Sequence, residues 1–193
     1  MLTLTDATWQ QLLELLATSP TGVERIAYLD GVRTSSGDGL VTTVTVPHAK
    51  QHAGHFTVSA QEMSRAGAHL RAHRLVRLAQ VHTHPGADIR HSTTDDERAY
   101  SRKAGAVSIV LPWHAKGDPA PTNGAIHIHD GNDWRRLNQA DAEALIHLVP
   151  ATIDTRRPSP HIVPAQQPST GRSNRNRRWT WWTTLWAHVT RRR

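Results

Sequence analysis

Val81-His82-Thr83-His84-Pro85-Gly86-Ala87-Asp88-Ile89-Arg90-His91-Ser92-Thr93-Thr94-Asp95 is the stretch whose reading decides the fold. It reads H-x-H-P, a short loop, then S-x-x-D. A strand-like run, Leu75 to Val81, leads in, and a helix-like run, Asp96 to Ala104, leads out. Side chains repeat every second residue along a strand, so His82 and His84 point the same way. Pro85 lacks the N–H that a ladder needs and stops the strand. Asp95, on the first turn of the following helix, brings a carboxylate back as a third ligand. Two imidazoles and one acid leave the fourth position of a tetrahedral Zn²⁺ open for water, which is the composition of a hydrolytic metal site.

The segment resembles the JAB1/MPN/Mov34 metalloenzyme (JAMM) family, whose pattern is H-[ST]-H-P-x(6)-S-x-x-D. His82, Thr83, His84, Pro85, Ser92 and Asp95 fall on it without a gap. The family's first motif is similar to E-x-x-G-x-L-x-G, and Glu24, Ala27, Leu29 and Gly31 stand in those places, with Ala27 departing from the usual Gly. The resemblance implies an α/β fold of the JAB1/MPN (cytidine-deaminase-like) kind, a mixed β-sheet flanked by helices. It implies Zn²⁺ on His82, His84 and Asp95, Glu24 as general base and then acid, and Ser92 as hydrogen-bond donor to an oxyanion.

The implied reaction is hydrolysis of the amide or isopeptide bond after the C-terminus of a ubiquitin-like protein, by deconjugation or precursor processing. Small prokaryotic members of similar size occur beside activating and conjugating (E1/E2-like) enzymes, in anti-phage or sulfur-carrier systems. Two other readings share the frame. DNA-repair-associated relatives usually carry Ser-Gly after the Pro and another Pro before the Ser, where this chain has Gly86-Ala87 and His91. Non-catalytic MPN scaffolds typically lack the ligands.

Other candidates are weighed against ordinary structural roles. Glu62 is the rival acid, and its place at the start of a helix suits the helix dipole. His48, His52 and His55 match no defined ligand spacing and are read as exposed. His127-Ile128-His129 is a second H-x-H, read as the solvated face of a strand.

The composition sets bounds on the chemistry. Cysteine is absent, so thiolate ligation and disulfides are both excluded. The formal charge of +7 is carried by seven Arg after residue 170, which leaves residues 1–170 neutral. The pI of about 10.9 therefore describes the tail, and specific nucleic-acid binding is not expected. No secretory signal or membrane-spanning run is read at the start, so a cytoplasmic location is the default expectation.

In chain order, Asp6 to Ala17 reads as a helix with Trp9, Leu12, Leu13 and Leu16 on one face. Val23 to Leu29 reads as a strand closed by an Asp30-Gly31 turn, and Leu40 to Val46 as a β-branched strand. A loop and a short strand at Phe56 precede a helix from Gln61 to Arg74. After the central motif come strands at 106–112 and 125–129, a loop between them at 113–124, a strand remnant at Trp134, and a closing helix over 141–148. The expected order is α-β-β-α-β-α-β-β-α.

Residues 1–150 form the expected metallopeptidase domain, 151–176 a Pro/Ser-rich linker, and 177–193 a basic Trp-rich tail that is flexible. As a helix the tail places Trp179, Trp182, Trp186 and Val189 on one face with Arg at both ends. That pattern suits an anionic membrane interface or an acidic, apolar partner groove. Stacking on single strands and a merely solvated basic end remain open beside it.

Overall fold

The central strands of the sheet are buried on both sides, and the two faces differ in polarity, one apolar and the other rich in polar side chains; this separation creates the site. The protein is represented by a computed structural model that describes residues 1–17, 22–52 and 54–155. The tail and most of the linker expected from sequence lie outside those residues. The chain runs β1 (Leu2–Thr5), α1 (Asp6–Ala17), β2 (Ile26–Arg33), β3 (Gly39–Thr45), then a hairpin of β4 (Ala49–His52) and β5 (His55–Val58). It continues with α2 (Ala60–Ala72), β6 (Val76–Thr83), α3 (Thr93–Arg98), β7 (Val107–Leu111), β8 (Ala125–His129), β9 (Trp134–Arg136), α4 (Gln139–Leu145) and β10 (Ile146–Val149). Eight strands form one mixed sheet in the order β10-β1-β3-β2-β6-β7-β8-β9.

On one face, Ala27, Leu29, Ala79, Val81, Ile109, Leu111 and Ile126 pack in one core with Trp9, Leu12, Leu13 and Leu16 of α1. These four are the residues whose helical spacing marked the apolar stripe, and all four are buried. The Trp9 indole N–H donates to the Pro119 carbonyl at 2.9 Å, so this buried polar group has its partner. Ala27, which replaces a motif glycine, is fully buried in that core. The alternate residues Tyr28, Gln80, His82, Ser108 and His127 therefore project from the other face.

Several sequence expectations change. The first strand is displaced from 23–29 to Ile26–Arg33, because Asp30-Gly31 is a bulge within it and not a turn. The buried Asp30 carboxylate is held there by the Arg77 guanidinium at 3.1 Å, and Arg77 lies over the Tyr28 ring. Gly31 runs so close to β3 that a Cβ would collide with the Leu40 carbonyl, which explains a glycine at that place. The helix after the motif begins earlier and stops at Arg98, where Ala99 turns extended.

Three strands were not foreseen. β1 and β10 are four-residue segments defined by parallel pairing with each other, and β4 turns part of the expected loop into a hairpin with β5, the short strand expected at Phe56. The closing segment divides into α4 and β10, with Asn138 capping α4. Among the described residues, no helix is long and apolar enough to cross a membrane.

Candidate metal centre

The site begins with the register of two strands. Ile26 of β2 pairs with His82 of β6 in antiparallel sense, so stepping back to residue 24 means stepping forward to residue 84. Just beyond the ladder, the Arg25 N–H donates to Thr83 Oγ1 at 3.1 Å and the Thr83 N–H to the Arg25 carbonyl at 3.0 Å. The threonine between the two histidines thus pins the backbone next to Glu24. Glu24 is only 3 % exposed, although nothing apolar in its side chain favours burial.

His82, His84 and Asp95 converge so that one ligand atom from each lies within 4.8 Å of the others. His82 Nε2 faces Asp95 Oδ1 at 3.4 Å, and His84 Nε2 faces Asp95 Oδ2 at 3.6 Å. His84 Nδ1 lies 2.7 Å from the Asp88 carbonyl, which can only accept, so this nitrogen carries the proton. With Nδ1 protonated, Nε2 faces the Asp95 carboxylate, and a proton or a metal cation must stand between them. Both His82 ring nitrogens are buried without a hydrogen-bond partner among the described residues. Lone pairs and a carboxylate meeting in a buried place call for a cation between them, and two imidazoles with one carboxylate suit zinc. His82, His84 and Asp95 thus form a candidate metal site whose donor set suits Zn²⁺.

Without a metal the two imidazoles differ in their protonation: His82 is driven towards neutral, whereas His84 is drawn towards holding a proton that a bound cation would displace. Burial pushes the His82 imidazole towards its neutral, ligating form. Burial opposes the charge on Asp95 as well, but His82 and His84 together hold its carboxyl well below the usual range. Burial also resists charging His84, yet Asp95, the Asp88 carbonyl and Glu24 outweigh it and raise that imidazole. The Glu24 carboxyl is pushed up to about 7 by burial, with His84 pulling it down and Asp95 adding to the rise.

No family model matches the chain. A Sinorhizobium fredii protein described as a probable metalloprotease is 42 % identical over 59 residues, which are 31 % of this chain and 36 % of that protein. The chain thus spans about a third of the length of the curated relative it matches. A solution structure from Desulfitobacterium hafniense aligns with a TM-score of 0.60 at 20 % identity, covering 78 % of this chain and 94 % of that one. A JAB1/MPN domain protein from Archaeoglobus fulgidus aligns at 0.44 and 12 % identity, covering 77 % and 97 %. The likeness to the Desulfitobacterium structure is one of fold.

Ser92 is the N-cap of α3. Its backbone N–H and its hydroxyl both donate to Asp95 Oδ2 at 2.8 Å, and the Asp95 N–H donates back to Ser92 Oγ at 3.2 Å. The S-x-x-D spacing is therefore a capping box and a ligand support at once. The other predicted residues separate cleanly. Glu62 sits on the first turn of α2, capped by Ser59 and paired with Arg65 at 3.4 Å, away from the trio. His48 is exposed, whereas His55 is half-buried and not exposed as expected. The side chain of His52 lies outside the described residues.

His127 and His129 correct the sequence reading most sharply. They were expected on a solvated face, but they are 4 % and 3 % exposed. Their side of β8 lies under a second layer: His91 stacks on His127 at 3.8 Å between ring centroids, and Trp134 meets His91 and His129 edge-on at 5.2 Å. Burial, helped by His91, pushes the His127 imidazole down to about 3. Periodicity could mark these residues as polar, but not as covered.

The expected loop after β7 also does structural work. Trp113, His114 and Ala115 all adopt left-handed backbone angles, with φ of 52°, 56° and 59°. Each such residue costs on the order of 1–2 kcal/mol. The turn persists because the Trp113 N–H donates to the Gly86 carbonyl and the His114 N–H to the His84 carbonyl. It clamps the backbone of a ligand from outside. An open cleft of about 570 Å³, lined by His84, Pro85, Gly86, Arg90 and Ser92 among others, lies beside it.

Proposed function

We propose that the protein is a zinc-dependent peptidase that hydrolyses the amide or isopeptide bond after the C-terminus of a ubiquitin-like protein. The observation that carries this reading is the Glu24 carboxyl, 3 % exposed, in the electrostatic reach of His84 and Asp95 and pushed up to about 7 by burial. A carboxyl of that affinity can accept a proton and give it back at physiological pH, which a carboxylate in water cannot do efficiently. When bound, zinc supplies Lewis acidity and an acidified water.

Glu24 takes the proton of the attacking water and delivers it to the departing amine. His84 stays in the required tautomer because the Asp88 carbonyl holds its other nitrogen. Ser92 supports Asp95 in the resting arrangement. To donate to a tetrahedral oxyanion, its hydroxyl turns away from Oδ2 while its backbone N–H keeps that contact. An open cleft that includes His84 and Ser92 in its lining would be the place for the substrate.

The ubiquitin-like substrate, activating and conjugating partners, and an anti-phage or sulfur-carrier setting rest on the motif resemblance. The test is cleavage of a fusion between a ubiquitin-like protein and a reporter. The zinc-loaded chain should release the reporter, and Glu24→Gln should keep its zinc while cleaving about 10²–10⁴-fold more slowly. Undiminished cleavage by Glu24→Gln would remove Glu24 from the mechanism. No cleavage of any such fusion by the zinc-loaded parent would favour the non-catalytic scaffold.

A further inference from the structure

α3 carries a zinc ligand yet has only six residues, too few to hold a position by helix propensity alone. It is tethered from both sides. At its exposed end, Arg98 donates to Thr57 Oγ1 at 2.8 Å. On its buried side stands His91, one residue before the cap, with a side chain only 5 % exposed. Its Nδ1 meets Asp96 Oδ1 of α3 at 2.8 Å, and its Nε2 meets Ser108 Oγ of β7 at 3.0 Å. The Asp96 carboxylate accepts, so Nδ1 carries the proton and Nε2 accepts from the serine hydroxyl. One neutral ring satisfies both bonds.

Ser108 pairs with His127 across β7 and β8, so both project from the same face beneath this ring. His127 stacks on His91, and Trp134 of β9 closes its edge. A single side chain thereby joins the ligand-bearing turn to three strands. Its ring also lies 5.9 Å from that of His82, so movement of His91 disturbs both sides of the trio.

We propose that His91 is a positioning residue for the metal: its clasp on Asp96 and Ser108, over His127, sets where Asp95 stands relative to His82 and His84. This rests on the trio being a zinc site. Partners that orient ligands in this way typically change metal affinity 10–100-fold when removed. A ring that merely filled space would alter the stability of the metal-free fold and leave zinc affinity alone.

The experiment measures zinc affinity by chelator competition, the visible absorption of the cobalt-substituted protein, and the thermal midpoint of the metal-free form. His91→Ala should weaken zinc by about 10–100-fold and shift the cobalt bands. His91→Asn, whose amide N–H can replace the bond to Asp96, should recover part of the loss. Ser108→Ala, which removes one bond and leaves the ring in place, should weaken zinc by several-fold. A folded His91→Ala protein that binds zinc within twofold of the parent overturns the proposal. Should that variant fail to fold, unchanged affinity in Ser108→Ala overturns it instead. A parent chain that binds no zinc overturns the zinc site itself, and this inference with it.

Discussion

Replacing Glu24 by Gln should make the metal-free protein more stable at alkaline pH while disabling it. The carboxyl is 3 % exposed and pushed up to about 7 from 4.5, chiefly by burial. The ionised form is the one the fold penalises. The native state therefore holds this proton more tightly than the unfolded chain, and that stability is fully present below about 4.5. It is lost as the pH climbs through about 7. A carboxyl displaced this far gives up about 3 kcal/mol of folding free energy on full ionisation.

Glutamine keeps the shape and never ionises, so urea unfolding of the chelated protein should show the two curves diverging with pH. Below pH ~4.5 the variant and parent should be nearly equal, and by pH ~8.5 the variant should be ahead by about 2–3 kcal/mol. A difference that is flat across this range, or a variant less stable at alkaline pH, would refute the idea that Glu24 is held at the site against its solvation.

Zinc analysis of the purified parent should give about one metal per chain, lost in His82→Ala. Asp30→Ala strands the Arg77 guanidinium, only 10 % exposed, without its carboxylate; the loss should be about 3–5 kcal/mol by denaturant unfolding. Gly31→Ala forces a methyl into the Leu40 carbonyl and should destabilise by about 1–3 kcal/mol or shift the β2–β3 register, seen in amide exchange of those strands.

The sequence by itself determined the candidate metal site and much of the frame. H-x-H-P with S-x-x-D names three ligands because local geometry is enough: period two along β6, a proline stop, and a capping box bringing Asp95 to the start of α3. The α1 stripe was legible for the same reason, since Trp9, Leu12, Leu13 and Leu16 need only the helical repeat to share a face. Glu24 could be named from the motif, but its burial near the His82–His84–Asp95 trio follows from the β2–β6 register and the Thr83–Arg25 bonds, which join residues 58 positions apart.

Tertiary structure alone decided the rest. Asp30-Gly31 looks like a turn until Arg77 and β3 enclose it as a bulge. β1 and β10 are too short to declare themselves and exist through pairing across the length of the domain. His127 shows the limit most clearly. Alternation says which residues share a face, but whether that face meets water or a histidine from another element depends on what folds over it.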